Sequence, residues 1–211
     1  MGTVLDLQCM PRGARSRTRR VSDAFFDAYM ARFPNTTRIQ RDLVTNVDEL
    51  PAIDAWDVEA KIEITYGEGN LDEAQAERWN RIIRLTDELH AADLVVISAP
   101  MWNFQIPWYL KRWIDCVAQA RLTFQMTDKG VDGLLAGRSC VVLTTRDGEY
   151  GPGTPMEAAD FQLPYLKFIL GWMGLGPVHI VSADGMAYPT GEASLERAVE
   201  AAKTLANTIG G

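Results

Sequence analysis

The sequence predicts an α/β domain with a doubly wound, parallel, five-stranded sheet that carries helices on both faces. Strand-like and helix-like segments alternate along the 211 residues, and this order is typical of right-handed βαβ crossovers. The run at 94–99 is apolar on both faces, as expected of a central parallel strand that is covered by helices on either side. A chain of this length fits one such sheet, so residues 1–211 are predicted to form a single domain.

Each predicted element has its own local signal. The predicted strands are short and rich in apolar or β-branched residues, and they lie at 3–8, 37–43, 94–99, 140–145 and 179–182. The predicted helices carry apolar residues at helical spacing, and they occupy the segment from a Ser16 or Thr18 cap to Phe33, residues 73–92, the segment after Pro107, residues 156–173 and the segment after a Thr190 cap. Residues 44–72 are acidic and irregular, which indicates a long excursion with room for one short helix.

Composition excludes several classes of function. A net charge of −7 argues against general binding of nucleic acid, which needs a basic face. No apolar run approaches the roughly 18 residues of a membrane-spanning helix, and the basic cluster at 12–20 is followed by acids, unlike a signal peptide. The three cysteines at 9, 116 and 140 form no disulfide or metal-ligand spacing, so we expect a reducing cytoplasm and no metal.

Three loops follow predicted strands directly, at 9–18, 100–104 and 145–150. In an open parallel sheet, ligands bind beyond the carboxyl ends of the strands. In the first loop, Ser16, Thr18 and Arg15 or Arg17 lie at the start of a helix, which suits a terminal phosphate. The alternative is that the hydroxyls are ordinary helix caps and the arginines face water. The glycine fingerprints of dinucleotide and nucleoside triphosphate sites are absent.

The other two loops allow functional and structural interpretations. The second loop places a proline, a methionine, an asparagine and two aromatic residues where a helix should start, which suits a flat conjugated ring; the alternative is that these residues fill the core. The third loop contains glycines that let backbone approach a ligand closely. Its alternative is a tight turn that exposes charged residues.

The second loop and the helix after it resemble a known family. The matching residues are Ala99-Pro100-Met101-Trp102-Asn103-Phe104, Ile106-Pro107, Leu110-Lys111 and Ile114-Asp115. They are similar to the flavin-contacting segment of the FMN-dependent NADH azoreductases, within the flavodoxin-like NAD(P)H:quinone oxidoreductases. The resemblance covers most of the chain, including Thr145-Arg146-Asp147-Gly148 and the stretch around Trp172.

The resemblance implies a set of site residues. The FMN-binding residues would be Cys9, Arg12, Ser16, Arg17, Thr18, Pro100, Met101, Trp102, Asn103, Phe104, Thr145, Arg146, Asp147, Gly148 and Tyr150. The substrate pocket would contain Phe124, Met126 and Trp172, contributed across a dimer interface. The chain departs from the family pattern at Cys9, where a serine is usual, at Asp147, where a glycine is usual, and at Met126, where an aromatic residue is common.

The resemblance also implies an activity. FMN would take electrons from NADH or NADPH and pass two of them to a quinone or an azo compound in a ping-pong reaction, with no catalytic side chain required. The alternatives are a flavin reductase that serves a partner, a reductase of a polycyclic quinone, a flavodoxin-type electron carrier, and a regulatory binder without FMN. A homodimer is expected from the resemblance and from Trp108, Trp113 and Trp172, which could equally be core residues.

Overall fold

The computed structural model describes residues 2–210, which form six α-helices and seven β-strands. The strands are β1 (Thr3–Gln8), β2 (Thr37–Asp42), β3 (Leu94–Ser98), β4 (Phe124–Thr127), β5 (Gly130–Gly133), β6 (Ser139–Thr145) and β7 (Val178–Ala183). The helices are α1 (Arg17–Arg32), α2 (Ala55–Tyr66), α3 (Glu73–Ala91), α4 (Trp108–Val117), α5 (Leu163–Trp172) and α6 (Gly191–Thr208). Residues 1 and 211, the ends of the predicted domain, lie outside the described part.

Five strands form a parallel sheet in the order β2-β1-β3-β6-β7. The order reverses between β1 and β3, because β2 lies on one side of β1 and all later strands of this sheet lie on the other. Gln8 pairs with Asp42 and with Ser98, and Ser98 pairs with Leu143, so the central strands end nearly level. The loops that leave them therefore start side by side.

Helices cover both faces of the sheet, which confirms the predicted fold class. Alternate residues of each strand point to opposite faces. On one face Val4 and Val96 pack with apolar residues of α1 and α6. On the other, Leu5 and Ile97 pack with α3, α4 and α5 around the fully buried Trp113. Trp113 is therefore a core residue and contributes nothing to an exposed aromatic surface.

Two local features differ from the sequence-based predictions. A continuous helix over 156–173 is wrong: Glu157–Ala159 is a short 3-10 turn, and α5 begins only at Leu163. Asp160 accepts from the amides of Gln162 and Leu163, and Pro164, which has no N–H to donate, occupies the first turn. The antiparallel hairpin of β4 and β5 was not predicted.

The excursion at 44–72 contains a helix of three turns. Asp54 accepts from the amides of Trp56 and Asp57, and the Asp57 side chain accepts in return from the Asp54 amide. This reciprocal pair is a capping box, and it starts α2. Arg78 of α3 then pairs with both carboxylates, at 2.6 Å from Asp54 and 2.8 Å from Asp57, so the excursion is fixed to the body of the protein.

Candidate functional site

The loops after β1, β3 and β6 meet at one cleft of about 210 Å³. Its lining comes from four separate segments of the chain, namely Pro11, Arg12, Ser16, Arg17, Pro100, Met101, Trp102, Thr145, Asp147 and Met186. The cleft lies at the carboxyl edge of the sheet, beside the point where the strand order reverses, which is the usual place for a ligand in this kind of sheet. The three loops singled out in the sequence therefore lie together.

The first loop ends in the amino terminus of α1. Ser16 is buried at the N-cap position, and within residues 2–210 its side chain makes no capping hydrogen bond. Arg19 donates to the carbonyl of Gly13 at 3.3 Å and to Gln8 at 3.2 Å, which fixes the turn ahead of the helix. The first amides of α1 and the Ser16 hydroxyl are thus available to an anion, and the helix dipole favours negative charge there.

The second loop contains a strained turn. Trp102 and Gln105 exchange two backbone hydrogen bonds, of 2.8 and 2.9 Å, and the two residues between them, Asn103 and Phe104, have φ of 44° and 70°. Asparagine adopts this conformation readily, whereas phenylalanine does so at a cost of about 1–3 kcal/mol. The turn leaves Trp102 38% and Phe104 45% exposed, and Trp102 is the aromatic residue of the turn that lines the cleft.

The third loop is held to the first two. The Thr145 hydroxyl lies 2.7 Å from that of Thr18, and the amide of Met101 donates to the Thr145 carbonyl at 3.1 Å. The Tyr150 ring packs edge-on against Phe104, with ring centroids 6.4 Å apart. A Cβ on Gly148 would lie 3.0 Å from that Tyr150 ring, so a larger residue at this position would require the ring to shift.

Several predicted cofactor residues do not line the cleft. Cys9 is fully buried in the core beneath it, and burial raises the pKa of its thiol to about 12. The Arg146 side chain is buried between Asp160 and Asp184. Asn103 opens onto a neighbouring groove lined by Trp108 and Tyr165 among others. The remaining predicted residues outside the lining, which pack around the cleft or beneath it, are Thr18, Phe104, Gly148 and Tyr150.

Sequence reasoning missed Met186, which completes the lining. The residue follows β7, so it leaves the same edge of the sheet as the other three loops. Its amide donates to the Arg146 carbonyl at 3.0 Å, and its own carbonyl accepts from Arg17 at 3.0 Å. A polar and glycine-containing stretch directly after a predicted strand was the signal that could have identified this fourth loop.

The predicted substrate-pocket residues lie at the opposite edge of the sheet. Phe124 and Trp172 pack edge-on with centroids 5.7 Å apart, and Met126 is 67% exposed beside them on the hairpin. Helix α4 leads away from the cleft for ten residues, about 15 Å, before the hairpin begins. In a single chain these three residues are therefore remote from the cleft.

Residues 2–210 lack two features that would indicate other kinds of site. They contain no cluster of three or more histidine, cysteine, aspartate or glutamate residues able to hold a metal ion. Over the same range, every helix is too short or too polar to cross a membrane.

Comparison with known proteins agrees with the fold. A family model described as "Flavodoxin-like fold" matches residues 2–206. An FMN-dependent NADH:quinone oxidoreductase of Nitratidesulfovibrio vulgaris (strain DP4) is 37% identical over 210 residues, covering 98% of this chain and 99% of its own. A protein of the same name from Ralstonia nicotianae is 38% identical and covers 98% and 96%.

Solved structures show the same similarity. An azoreductase from Bacillus anthracis str. Sterne superposes with a TM-score of 0.90 at 26% identity, over 99% of this chain and all of that one. An FMN-dependent NADH-azoreductase from Bacillus anthracis str. Ames Ancestor, solved in complex with FMN, gives a TM-score of 0.87 at 27% identity, over 98% of both chains. The chain therefore belongs to the flavodoxin-like family of FMN-dependent NADH:quinone oxidoreductases and azoreductases.

Proposed function

We propose that this protein is an FMN-dependent oxidoreductase that transfers two electrons from NADH to a quinone or an azo compound. The observation that carries the proposal is the meeting of an anion-binding helix terminus and an aromatic turn at one cleft. When bound, FMN supplies the chemistry of accepting a hydride and releasing its electrons to an acceptor. In the overall reaction NADH becomes NAD⁺, and a quinone takes up two electrons and two protons.

The residues present fit this cofactor. Ser16, Arg12, Arg17 and the first amides of α1 would hold its phosphate, because they place hydrogen-bond donors and positive charge at one end of the cleft. Pro100, Met101 and Trp102 would hold the ring, since they form an apolar wall at the second loop. Asp147 lines the same cleft as a carboxylate, and it would lie beside the cofactor.

The protein's own residues would bind and orient the cofactor and the substrates, without a side chain that transfers protons. Both histidines are remote from the cleft: His90 is in the last turn of α3 and contacts Leu122, and His179 is in β7. The hydride of NADH accounts for one of the two protons that a quinone takes up, and the other would come from water. Since the donor and the acceptor would use the same open side of the cleft in turn, we propose ping-pong kinetics. We also propose that NADPH can serve as a second donor.

We also propose that the working unit is a homodimer. Phe124, Met126 and Trp172 are remote from the cleft of their own chain, yet they form an aromatic and partly exposed group. Trp108, next to the second loop, is 51% exposed. A second copy that brought this group over the cleft would cover apolar surface on both chains and close the site against water.

An absorption spectrum of the purified protein, followed by anaerobic titration with NADH, tests the proposal. We expect bound FMN to lose its yellow colour on addition of NADH and to regain it with menadione or an azo dye. An electron carrier would hold FMN but react slowly with NADH, and a flavin reductase would turn over free FMN. A colourless preparation that takes up no FMN would overturn the proposal. Comparing NADH with NADPH in the same titration determines the donor.

A further inference from the structure

Arg146 lies in the third loop, but its side chain faces away from the cleft and is 4% exposed. The guanidinium forms a two-point contact with Asp184, from Nε to Oδ1 at 2.7 Å and from Nη2 to Oδ2 at 2.5 Å. Its Nη1 donates to Oδ2 of Asp160 at 2.6 Å. One buried cation thus joins two carboxylates that come from different loops.

Both carboxylates are held in place by further contacts. Asp184 also accepts from the Ser182 hydroxyl and, at 3.2 Å, from the amide of Tyr150. The second oxygen of Asp160 accepts from the amides of Gln162 and Leu163, at 3.0 Å each, at the start of α5. The orientation of the guanidinium is therefore determined by β7, by the third loop and by α5 together.

The same residue reaches the other walls of the cleft through its neighbours. Its amide donates to the Ala183 carbonyl at 2.9 Å, and its carbonyl accepts from Met186, whose own carbonyl binds Arg17 of the first loop. The guanidinium carbon lies 5.2 Å from the centre of the Tyr150 ring, which is packed against Phe104 of the second loop. Every loop around the cleft is thus at most two contacts from Arg146.

We infer that Arg146 is a positioning residue, which fixes the loops of the cleft before a ligand binds and makes no contact with the cofactor itself. The inference deepens the proposed function and rests on it for the identity of the ligand, FMN. A cleft whose loops are already ordered binds its ligand more tightly than a cleft whose loops become ordered only on binding. In the second case the cost of ordering the loops opposes association.

The charges explain why the loops depend on this residue. A buried ion pair that loses one partner leaves the other charge without compensation in a poorly solvated place. Without the guanidinium, Asp160 and Asp184 would repel each other and draw water inwards. The third loop would then separate from β7, and Tyr150 and Met186 would lose their fixed positions.

The test compares Arg146→Met and Arg146→Lys with Arg78→Met in the full chain. Arg78 is a matched control, since it also joins two carboxylates, Asp54 and Asp57, but at α2, and none of these three residues lines the cleft. Three quantities are measured: the FMN dissociation constant, the visible circular dichroism of bound FMN, and hydrogen exchange of amides 147–150 in the FMN-free protein.

We expect Arg146→Met to raise the dissociation constant at least about tenfold, to change the circular dichroism, and to accelerate exchange at 147–150. Arg146→Lys should recover part of each effect, because a lysine keeps the charge but not the two-point contact. Arg78→Met should lower the melting temperature while leaving FMN affinity and exchange at 147–150 as in the wild type.

Other outcomes overturn the inference. It is wrong if Arg146→Met folds and keeps wild-type exchange at 147–150, or if Arg78→Met changes the cleft as much as Arg146→Met does. If Arg146→Met does not fold, Asp184→Asn takes its place with the same expectations. Failure of the wild type to bind FMN would instead overturn the proposed function, and exchange in the FMN-free protein would still decide the role of Arg146.

Discussion

Ser16 combines burial at the start of α1 with a hydroxyl that makes no capping bond to its own helix. We predict that Ser16→Ala weakens FMN binding by roughly one to two orders of magnitude, since a hydrogen bond to a charged group contributes about 1.5–3 kcal/mol. The melting temperature of the FMN-free protein should hardly change. Quenching of FMN fluorescence measures the affinity. Ser194→Ala, in the first turn of α6, is the control, and equal affinities of both variants would contradict the assigned role.

The three cysteines predict how stability depends on pH. Burial raises the pKa of each thiol to about 12, whereas an unfolded thiol ionises near 8.5. The unfolded state therefore binds fewer protons above that pH, so the free energy of unfolding falls as pH rises from about 9 to 12. The slope approaches about 1.4 kcal/mol per pH unit for each thiol.

Denaturant titrations at pH 8, 9.5 and 10.5 measure this loss of stability. A cysteine-free variant that folds would separate the thiols from other alkaline effects. At pH 8 we also expect the native protein to resist a thiol-modifying reagent that labels all three residues once it is unfolded. Rapid labelling of Cys9 in the native state would show that its thiol is reachable from the cleft.

The residues of the site differ in how far the sequence could predict them. Cys9 was assigned to the cofactor by the resemblance, yet it continues the alternation of Leu5 and Leu7, which face α3 and α4. This period of two is visible in the sequence, and it indicated that Cys9 lies in the core. The partners of Arg146 could not be predicted from the sequence, because Asp160 and Asp184 come from distant segments that only the folded sheet brings together.

At the scale of elements, the hairpin of β4 and β5 is packed tightly against the end of α5. A Cβ on Gly133 would lie 2.2 Å from the amide nitrogen of Gly174 and 2.5 Å from the Met173 carbonyl carbon. These are backbone atoms that no rotamer change can move. We therefore predict that Gly133→Ala lowers the free energy of unfolding by about 2 kcal/mol or more.

Chemical denaturation measures this loss, and Gly151→Ala is the control because its added methyl group would meet open space. Similar stabilities of the two variants would contradict the tight packing of the hairpin.

Elements with strong local signals were predicted well, and those with weak signals were not. Four of the five sheet strands were recognisable as short runs rich in apolar or β-branched residues between turn signals, and the polar strand β2 was recognisable by its alternation. Strands β4 and β5 have four residues each, include two glycines, and offer little apolar alternation. The sequence pattern of helix α2 is weak because Trp56, Ile62 and Tyr66 point outwards. Only its capping box, Asp54 with Asp57, indicated where it starts.

At the scale of the whole molecule, the proposed homodimer makes a prediction about its surface. Met126 and Tyr66 are 67% and 85% exposed, so an aspartate at either position should leave the fold of one chain intact. We expect Met126→Asp to dissociate the dimer and to reduce quinone turnover, because the charge would be buried against the second copy. Tyr66→Asp, on α2, should do neither.

Sedimentation velocity gives the oligomeric state of both variants, and menadione reduction gives their activity. Dissociation by Tyr66→Asp alone would place the interface at α2 and contradict the proposed arrangement. A wild type that sediments as a monomer at micromolar concentration and remains fully active would contradict the proposal that the working unit is a homodimer.

The four segments that line the cleft also determine when the protein can acquire its ligand during synthesis. Residues 11–17 leave the ribosome first, but the opposite wall at 145–147 and Met186 follow only when most of the chain has been made. A nascent chain that ends after α4 has one side of the binding surface and nothing facing it. Cofactor loading must therefore wait until all four segments have been made, and FMN cannot guide the folding of the segments that precede Met186.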